Sequence, residues 1–352
     1  MSINEDKLHE LLGKGVNDFG ATMAAAMVVI GDELGLYKAL AEGGAQTSTE
    51  LAERTQTAER YVREWLASQA ASGYVSYDAE NKKFYLTEEQ AFIFANDNSP
   101  AFLPGAFQVA LAATKAAPKI AQAFRTGEGF GWHEHHADLF LGTERFFRPG
   151  YAANLMNAWI PTLDGVEMKL RDGAKVADVG CGHGSSTILM AQAFPNSTFL
   201  GFDYHPASIE KAKERATAAG VEDRVTFKVA AAKQYPGNDY DFVTFFDCLH
   251  DMGDPVGAAA HVLQSLKADG TWMIVEPFAN DDAAENLNPV GRVFYSASTL
   301  ICTPASLAQE VGLALGAQAG EAKLRDVVMQ GGFRQFRRAT ETPFNIIFEA
   351  KP

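Results

Sequence analysis

One short segment of the sequence has the composition of a ligand-binding turn. It reads DVGCGHGSST, and its Gly180, Gly182 and Gly184 follow an apolar run and precede a helical one. Glycines at such a turn let the backbone bend sharply and approach a ligand closely. Asp178 stands before the glycines, and Asp203 ends the next apolar run. Because a carboxylate can accept both hydroxyls of a ribose and attracts positive charge, these residues predict a nucleoside with a cationic remainder rather than a diphosphate.

A second segment, DCLHDMGD at 247–254, follows the apolar run DFVTFF. Its His250 offers an imidazole, which in the neutral form is suited to take up a proton near pH 7. Glu276, in the run TWMIVEP, would hold the other ring nitrogen and fix the tautomer. Asp247 would face the bound nucleoside. The alternative interpretation is a loop histidine that caps the next helix or pairs with Asp251, which is read as structural.

Both segments belong to a pattern of alternating strands and helices that begins near residue 171. Apolar runs of strand length alternate with helical runs, and Pro206 and Gly220 stand at the start and end of one helix. Repeated strand–helix units predict an α/β fold, a parallel sheet with helices on both faces. Near the end of the chain, FRQFRRA and FNIIFEA predict an antiparallel pair. The carboxyl ends of the parallel strands are where such sheets bind ligands.

The segment at 130–151, FGWHEHHADLFLGTERFFRPGY, lies among predicted connecting helices. Its aromatic and cationic side chains would close over a ligand or form a seam between domains. His133 and His136 would share a helix face, but no further Cys or His completes a ligand set, so no metal is expected. The candidates for substrate contact, two of them from the mostly apolar stretch after the fifth strand, are Trp132, Arg145, Phe146, Tyr151, Ser298 and Cys302.

The N-terminal part has a different organisation. Residues 47–90 read as helix, turn, helix and hairpin, and Thr47 and Glu50 have the spacing of a capping box. This winged-helix pattern serves either DNA binding or dimerisation. Arg60 and Arg63 are the only basic residues between positions 58 and 77, and acidic residues surround them. Because phosphate contacts dominate DNA affinity, the pattern favours a dimerisation platform.

The apolar helix predicted at about 18–42 also bears on assembly. Met23, Met27 and Ile30 keep helical spacing, and the helix is apolar on nearly all sides. Such a helix must be buried in its own domain or against a second subunit. The sequence therefore predicts a homodimer held by its N-terminal helices.

The whole chain sets further bounds. Its 352 residues suffice for two domains, and its net charge of −14 argues against nucleic acid as the main partner, since a polyanion needs a basic face. The three cysteines are odd in number and far apart. The polar N-terminus lacks the features of a signal peptide. These observations predict a cytoplasmic protein without disulfides or a membrane partner.

From about Leu170 onward the sequence resembles the class I S-adenosylmethionine-dependent methyltransferases. The resemblance rests on the Asp-x-Gly-x-Gly-x-Gly motif at 178–184, on Asp203 and on the terminal antiparallel pair. It implies a Rossmann-like sheet of order 3-2-1-4-5-7-6, with strand seven antiparallel, and S-adenosylmethionine as cofactor. The residues implied to bind it are Asp178, Gly180, Gly182, Gly184 and Asp203. Tyr204 and Asp247, which follow strand ends, are further candidates for its binding. Many members bind the adenine amino group with an Asp after strand three, where this chain has Ala231 and Ala232.

The preceding winged helix narrows the resemblance. The chain looks like dimeric small-molecule O-methyltransferases of the plant caffeate and isoflavone type, and like bacterial winged-helix methyltransferases. Their Leu-His-Asp-Trp motif is matched by LHDM, with Met252 in place of Trp. The resemblance implies that His250 is the general base, that Glu276 orients it, and that a small molecule is methylated on oxygen. Alternatives are an N- or S-methyltransferase and a transcription regulator that senses the cofactor.

These interpretations divide the chain into three parts. Residues 1–98 are assigned to the winged-helix and dimerisation domain, 99–168 to linking helices and a lid, and 169–352 to the methyltransferase domain that binds S-adenosylmethionine.

Overall fold

The computed structural model describes residues 3–352. They divide into two compact units, Met1–Leu111 and Ala112–Pro352. The elements of the first unit are mostly helical: α1 Glu5–Glu33, α2 Leu36–Gly43, α3 Ser48–Thr55, α4 Glu59–Ala71, β1 Ser76–Asp78, β2 Lys83–Tyr85 and α5 Glu88–Phe94. Helix α6, Pro104–Thr114, crosses the division between the units.

Helix α1 begins earlier than its apolar stretch indicated. The Asn4 side chain accepts a hydrogen bond of 3.0 Å from the Lys7 N–H, and two acidic residues in the first turn favour a helix start. The predicted helix at 18–42 is in fact two helices. Gly35, with φ 68°, adopts the left-handed conformation that ends helices, and α2 starts after it.

The predicted winged-helix arrangement is present in the first unit. Thr47 and Glu50 form the expected capping box at the start of α3, and β1 pairs antiparallel with β2. Trp65 on α4 packs across α1 and donates a 2.8 Å hydrogen bond to the carbonyl of Met27. A Cβ at Gly31 would meet the Trp65 ring at 2.4 Å, so this helix crossing requires glycine.

Within residues 3–352, no single helix is both long and apolar enough to cross a membrane. Helices α1 and α2 meet the criterion only when they are joined, and the chain bends by 67° between them.

The second unit is built on a seven-stranded sheet. Its helices are α7 Ala117–Thr126, α8 Ala137–Asn154, α9 Val166–Asp172, α10 Ser185–Ala193, α11 Pro206–Ala218, α12 Pro255–Ser265, α13 Pro289–Ala297, α14 Thr303–Leu307 and α15 Gly320–Gln330. Its strands are β3 Lys175–Val179, β4 Thr198–Asp203, β5 Val225–Val229, β6 Tyr240–Phe246, β7 Leu266–Pro277, β8 Gln335–Glu341 and β9 Asn345–Lys351. The strand order is β5-β4-β3-β6-β7-β9-β8, and β9 is antiparallel to both neighbours. The predicted α/β fold and the order 3-2-1-4-5-7-6 are therefore confirmed.

Two apolar clusters cover the two faces of this sheet. Alternate residues of β3 point to opposite faces: Val176 belongs to the cluster with α10 and α11, and Ala177 to the cluster with α12 and α15. The strands are therefore buried on both sides, which explains their nearly continuous apolar sequences.

The path of the chain brings the polar strand ends together. From the central strand β3 the chain continues to β4 on one side, and β6 lies on the other. Strands β4 and β5 are added on one side of β3, and the strands from β6 onward are added on the other side. At this change of direction a crevice opens at the carboxyl ends of the strands. Gly180, Asp203, Asp247 and Glu276 all follow or end strands at this edge.

Candidate active site

The glycine turn after β3 needs its glycines. Gly180, Gly182 and Gly184 have φ of 76°, 52° and 78°, in the left-handed region that other residues rarely adopt. A Cβ at Gly180 would meet the sulfur of Cys248 at 2.7 Å, and one at Gly184 would meet the ring of Phe227 at 2.6 Å. The turn therefore packs directly on β5 and on the segment after β6, with its backbone at the crevice.

Asp178 anchors this turn from beneath. One carboxylate oxygen accepts hydrogen bonds from the hydroxyls of Ser186 and Thr187 on α10, and the other accepts one of 3.0 Å from Thr244 on β6. The side chain is fully buried, and burial raises its pKa. Asp178 does not line the crevice cavity. It ties α10 to the sheet and so positions the glycine turn.

Asp203, at the end of β4, faces the crevice. One oxygen accepts a 3.0 Å hydrogen bond from the N–H of Gly182, and the other accepts one of 2.8 Å from the N–H of His205. Burial raises the pKa of this carboxyl, and the backbone donors oppose the shift. Tyr204, the next residue, is half-exposed at the rim.

A cavity of about 440 Å³ occupies the crevice. Its walls come from α8, the glycine turn, the ends of β4 to β6 and α14. The site residues expected from the sequence that line it are Trp132, Tyr151, Gly180, Gly182, Asp203, Tyr204 and Asp247. Those that do not line it are Asp178, Gly184, Arg145, Phe146, Ser298, Cys302, His250 and Glu276. Ala231 and Ala232 lie in the cavity wall. They stand where many class I methyltransferases have an Asp that binds adenine.

Helix α8 contributes one wall of the cavity. The lining side chains Phe140, Glu144, Phe147 and Tyr151 recur every three to four residues, so they share one helix face. Arg145 and Phe146, which are candidates by residue type, lie outside this face. The helical period would have separated the two sets once the start of α8 at Ala137 was known.

The two histidines considered for a metal are placed apart. His133 lines the cavity, whereas the His136 ring accepts a 3.2 Å hydrogen bond from the N–H of Asp138 and caps α8. His135, between them, is buried, and neither ring nitrogen has a hydrogen-bond partner. Burial lowers its pKa to about 4, so this ring is neutral near pH 7.

Asp247 occupies a strained position at the tip of β6. Its φ is 49°, which is unusual for a residue with a side chain. Its carboxylate accepts hydrogen bonds of 2.8 Å from the hydroxyl of Tyr151 and from the amide of Asn345 on β9. Burial, assisted by the charge of Glu276, raises the pKa of Asp247 to about 7. The crevice therefore holds a carboxyl that titrates near neutrality.

His250 and Glu276 form a buried pair behind the cavity wall. A carboxylate oxygen of Glu276 lies 2.5 Å from Nδ1 of His250, and the other accepts a 3.0 Å hydrogen bond from the N–H of Leu249. The pairing expected from the sequence is thus present. On the other side of the ring, Nε2 lies 2.9 Å from Oδ1 of Asp251.

The charge state of His250 follows from these neighbours. Burial alone would lower the pKa of the imidazole, but Asp251 and Glu276 raise it well above its usual value. Of the three residues in the turn Leu249–Asp251, only Asp251 lines the cavity, and His250 is 3% exposed.

Cys302 completes a cluster of side chains with metal-binding types. Ligand atoms of His250, Asp251 and Cys302 lie within 4.8 Å of one another. Burial raises the pKa of the Cys302 thiol to about 11. Burial lowers the pKa of the His250 ring, but the charges of Asp251 and Glu276 outweigh it and raise that pKa well above its usual value.

Ser298 lies in a different environment. Its hydroxyl accepts a 3.0 Å hydrogen bond from the N–H of Ala317 and lies 3.3 Å from the hydroxyl of Thr303. These contacts fix the helical turn Ser298–Cys302 to the following loop.

Comparison with known proteins agrees with this geometry. Residues 170–310 match the family model of a methyltransferase domain, and residues 22–96 match the model of an Rv2258c-like winged HTH domain. The chain carries a methyltransferase domain. The predicted combination of a class I methyltransferase with an N-terminal winged helix is thereby confirmed.

Relatives of the methyltransferase domain have known names. The chain is similar to 27-O-demethylrifamycin SV methyltransferase of Amycolatopsis mediterranei (strain S699), at 35% identity over 134 residues. The match covers 36% of this chain and 48% of that protein, so the chain spans about half the length of this curated relative.

Solved structures resemble the whole chain. Human N-acetylserotonin methyltransferase, in complex with S-adenosylmethionine, has a TM-score of 0.73 at 17% identity, covering 100% of this chain and 99% of that one. Mitomycin 7-O-methyltransferase has a TM-score of 0.71 at 20% identity, covering 99% and 100%. At identities of 17% and 20%, these likenesses establish the fold of the chain and no more than the fold.

Proposed function

We propose that this protein binds S-adenosylmethionine in the 440 Å³ cavity and methylates a hydroxyl group of a small molecule. The observation that carries the proposal is the carboxylate of Asp203 beside the glycine turn, at the same crevice as the buried His250–Glu276 pair. The methyltransferase domain match supports the reaction class. The structural likeness to O-methyltransferases supports the choice of oxygen.

The lining residues fit the parts of this cofactor. Asp203 would accept the ribose hydroxyls, and the backbone at Gly180 and Gly182 would border the methionine portion. The ionised form of Asp247 would favour the positive charge. Adenine would lie against the methyl groups of Ala231 and Ala232, so its polar edge would depend on backbone groups. When bound, the cofactor supplies a methyl group on a positively charged sulfur.

The acceptor would occupy the rest of the cavity, between α8 and α14. Phe140 and Phe147 on one side, and Met252 and Ala305 on the other, offer apolar surface for a ring. The main contribution of these residues is to align the acceptor oxygen with the methyl group, since alignment replaces a bimolecular encounter. Loss of the acceptor's proton would be assisted by the linked side chains Asp251, His250 and Glu276, as the sequence proposed for His250.

The winged-helix unit is proposed as a dimerisation platform. On α4, Arg60 lies 2.6 Å from Glu64 and Arg63 lies 2.8 Å from Glu59, so the two basic side chains that a DNA-binding helix would use are paired with carboxylates of the same helix. The competing function, a DNA-binding regulator, would show sequence-specific retardation of DNA in a gel at low salt. We expect no retardation.

Calorimetry with S-adenosylmethionine and S-adenosylhomocysteine tests the proposed cofactor. A binding constant in the micromolar range is expected for both, and absence of binding would end the proposal. Transfer of a labelled methyl group to a panel of phenols, amines and thiols then tests the acceptor atom. The proposal requires product from phenols, and transfer only to amines or thiols would assign a different acceptor. With an identified acceptor, unchanged turnover in His250→Ala would remove His250 from proton transfer.

A further inference from the structure

Three consecutive alanines form the wall at one end of the cavity. Ala230, Ala231 and Ala232 follow β5 and line the cavity, and each has only a methyl group as its side chain. Ala230 and Ala232 also pack against the apolar cluster on the sheet face covered by α12 and α15, whereas Ala231 is exposed. The side chains of this wall are therefore apolar, and at Ala231 the wall borders the solvent.

The order of the strands decides which part of the proposed cofactor meets this wall. Strand β4 lies between β3 and β5 and is parallel to both. The glycine turn follows β3, and Asp203 ends β4. In S-adenosylmethionine the ribose stands between the methionine portion and the adenine. With the ribose at Asp203 and the methionine portion at the glycine turn, the adenine lies at the end of β5, against the alanines. This placement rests on the proposed function.

Backbone hydrogen bonds hold the alanine segment next to β4. The N–H of Ala230 donates a bond of 2.9 Å to the carbonyl of Asp203. The N–H of Gln234 donates one of 2.9 Å to the carbonyl of Ala231 and so closes a turn after the alanines. The wall is therefore tied to the strand that carries the proposed ribose ligand.

The polar side chains that follow the alanines are not placed to accept a hydrogen bond from adenine. Lys233 carries only donors, and its Nζ lies 2.9 Å from Asp254 and 3.0 Å from Glu310. Gln234 is exposed and does not line the cavity. The exocyclic amino group of adenine therefore meets no acceptor from these two side chains.

The polar side chains of the adjoining wall have other partners. Both carboxylate oxygens of Asp203 accept backbone N–H groups, from Gly182 and His205, and this carboxylate is assigned to the ribose. The hydroxyl of Ser208 on α11 lies 2.8 Å from Nδ1 of His205. Recognition of the base at this end of the cavity therefore depends on apolar contact.

We propose that the site does not recognise the exocyclic amino group of adenine, and that it binds S-adenosyl compounds with alkyl substituents on that nitrogen. The ligand class is sulfonium and thioether nucleosides whose base carries a secondary or tertiary amine. An apolar wall cannot strongly reject a ligand of altered polarity, whereas a wall that hydrogen-bonds the amino group rejects a ligand without it. The substituent would reach solvent beside the exposed Ala231.

The affinities of two thioethers test this inference on the wild-type protein. One is S-adenosylhomocysteine, and the other is its dimethylamino analogue, in which methyl groups replace both hydrogens of the exocyclic amino group. Calorimetry should give dissociation constants within about threefold of each other, because no strong hydrogen bond is lost. Loss of a bond to a charged acceptor would weaken binding by about 10- to 150-fold, so a ratio above about 10 would overturn the inference.

Ala231→Asp supplies the acceptor that the wall lacks. Its carboxylate should accept a hydrogen bond from S-adenosylhomocysteine but not from the analogue, so the ratio of their dissociation constants should rise to about 10 or more. Ala231→Asn adds an uncharged acceptor and should raise the ratio less. Ala218→Asp adds the same charge at an exposed position of α11 outside the cavity wall, and it should keep the wild-type ratio. An unchanged ratio in both Ala231 variants would place the base elsewhere and reject the inference.

The same titrations separate this inference from the proposed function. Binding of S-adenosylhomocysteine by each variant shows that the variant folds. If the wild-type protein binds neither thioether, the proposed cofactor site fails, and the inference fails with it. If it binds S-adenosylhomocysteine but rejects the analogue, the proposed function stands and only the inference about the amino group is wrong.

Discussion

A carboxylate oxygen of Asp203 accepts a hydrogen bond of 3.0 Å from the N–H of Gly182. The end of β4 is thereby joined to the turn after β3, and both segments border the cavity. Replacement of a residue that both shapes a turn and faces the ligand should weaken ligand binding by more than the loss of its own contacts to the ligand.

Replacement of Asp203 tests this double role. Asp203→Ala should weaken S-adenosylmethionine binding by roughly 10- to 100-fold, since a hydrogen bond to a charged group contributes about 1.5–3 kcal/mol. Calorimetry would measure the change. Asp223→Ala removes an exposed carboxylate and should leave the affinity unchanged. Equal affinities for all three proteins would exclude Asp203 from the cofactor site.

The pKa of about 7 at Asp247 predicts how cofactor binding depends on pH. The ionised carboxylate attracts the cationic cofactor, and the protonated one does not. Affinity for S-adenosylmethionine should therefore rise as the pH increases through about 7. S-adenosylhomocysteine has no sulfonium charge and should show a weaker dependence.

Tyr151→Phe provides the matched variant for this pH effect. The Tyr151 hydroxyl donates to Asp247, and this hydrogen bond lowers the pKa of the carboxyl. Without it, the midpoint of the affinity profile should move to higher pH. An unchanged midpoint, measured by calorimetry in several buffers, would mean that another group titrates.

Gly184 should be intolerant of substitution. Gly184→Ala places a Cβ at 2.6 Å from the Phe227 ring, at a φ of 78°, and should reduce the free energy of unfolding by about 1–3 kcal/mol. Gly150→Ala, inside α8, meets no atom within 4 Å and should be neutral or stabilising by up to about 1 kcal/mol. Denaturant unfolding of both variants would measure the contrast. Similar stabilities would show that the turn relaxes around the added methyl group.

The exposed apolar side chains of helix α1 predict that the protein forms a dimer. Leu12, Val16, Phe19 and Met23 are spaced by three to four residues and are 56–71% exposed, so they form an apolar stripe. A second copy of this helix would cover the stripe. Light scattering should give a dimer, and the double variant Val16→Glu, Phe19→Glu should give a monomer. Glu10→Gln on the same helix should remain dimeric, and a monomeric wild type would contradict the assignment.

Most of the sheet could be predicted from the sequence, because polar residues end the apolar runs that form its strands. Asp203 and Asp247 end apolar runs, and parallel strands place such ends at one edge. The face of α8 could not be predicted in the same way. Its phase depends on where the helix starts, and no residue pattern marks the cap at His136, so residue type alone favours Arg145 and Phe146 over Phe140.

Contacts between distant segments were also beyond the sequence. The pairing of His250 with Glu276 followed from the resemblance and from two strand ends. The position of Asp251 on the other ring nitrogen depends on the short helical turn at 249–251, whose side-chain directions no spacing rule gives. The contacts of Ser298 could not be predicted for a similar reason, because a wide helical turn directs its hydroxyl toward Ala317.

The place of β9 has a consequence for biosynthesis. This strand follows β8 in the chain yet lies between β7 and β8, and its Asn345 supplies one of the two donors to Asp247. A nascent chain that has not yet reached residue 345 holds all the glycines of the turn, but β7 has an open edge flanked by apolar side chains such as Trp272 and Ile274. Until β9 inserts, that edge can pair with other chains. The interval before insertion is thus when the growing protein most needs protection from aggregation.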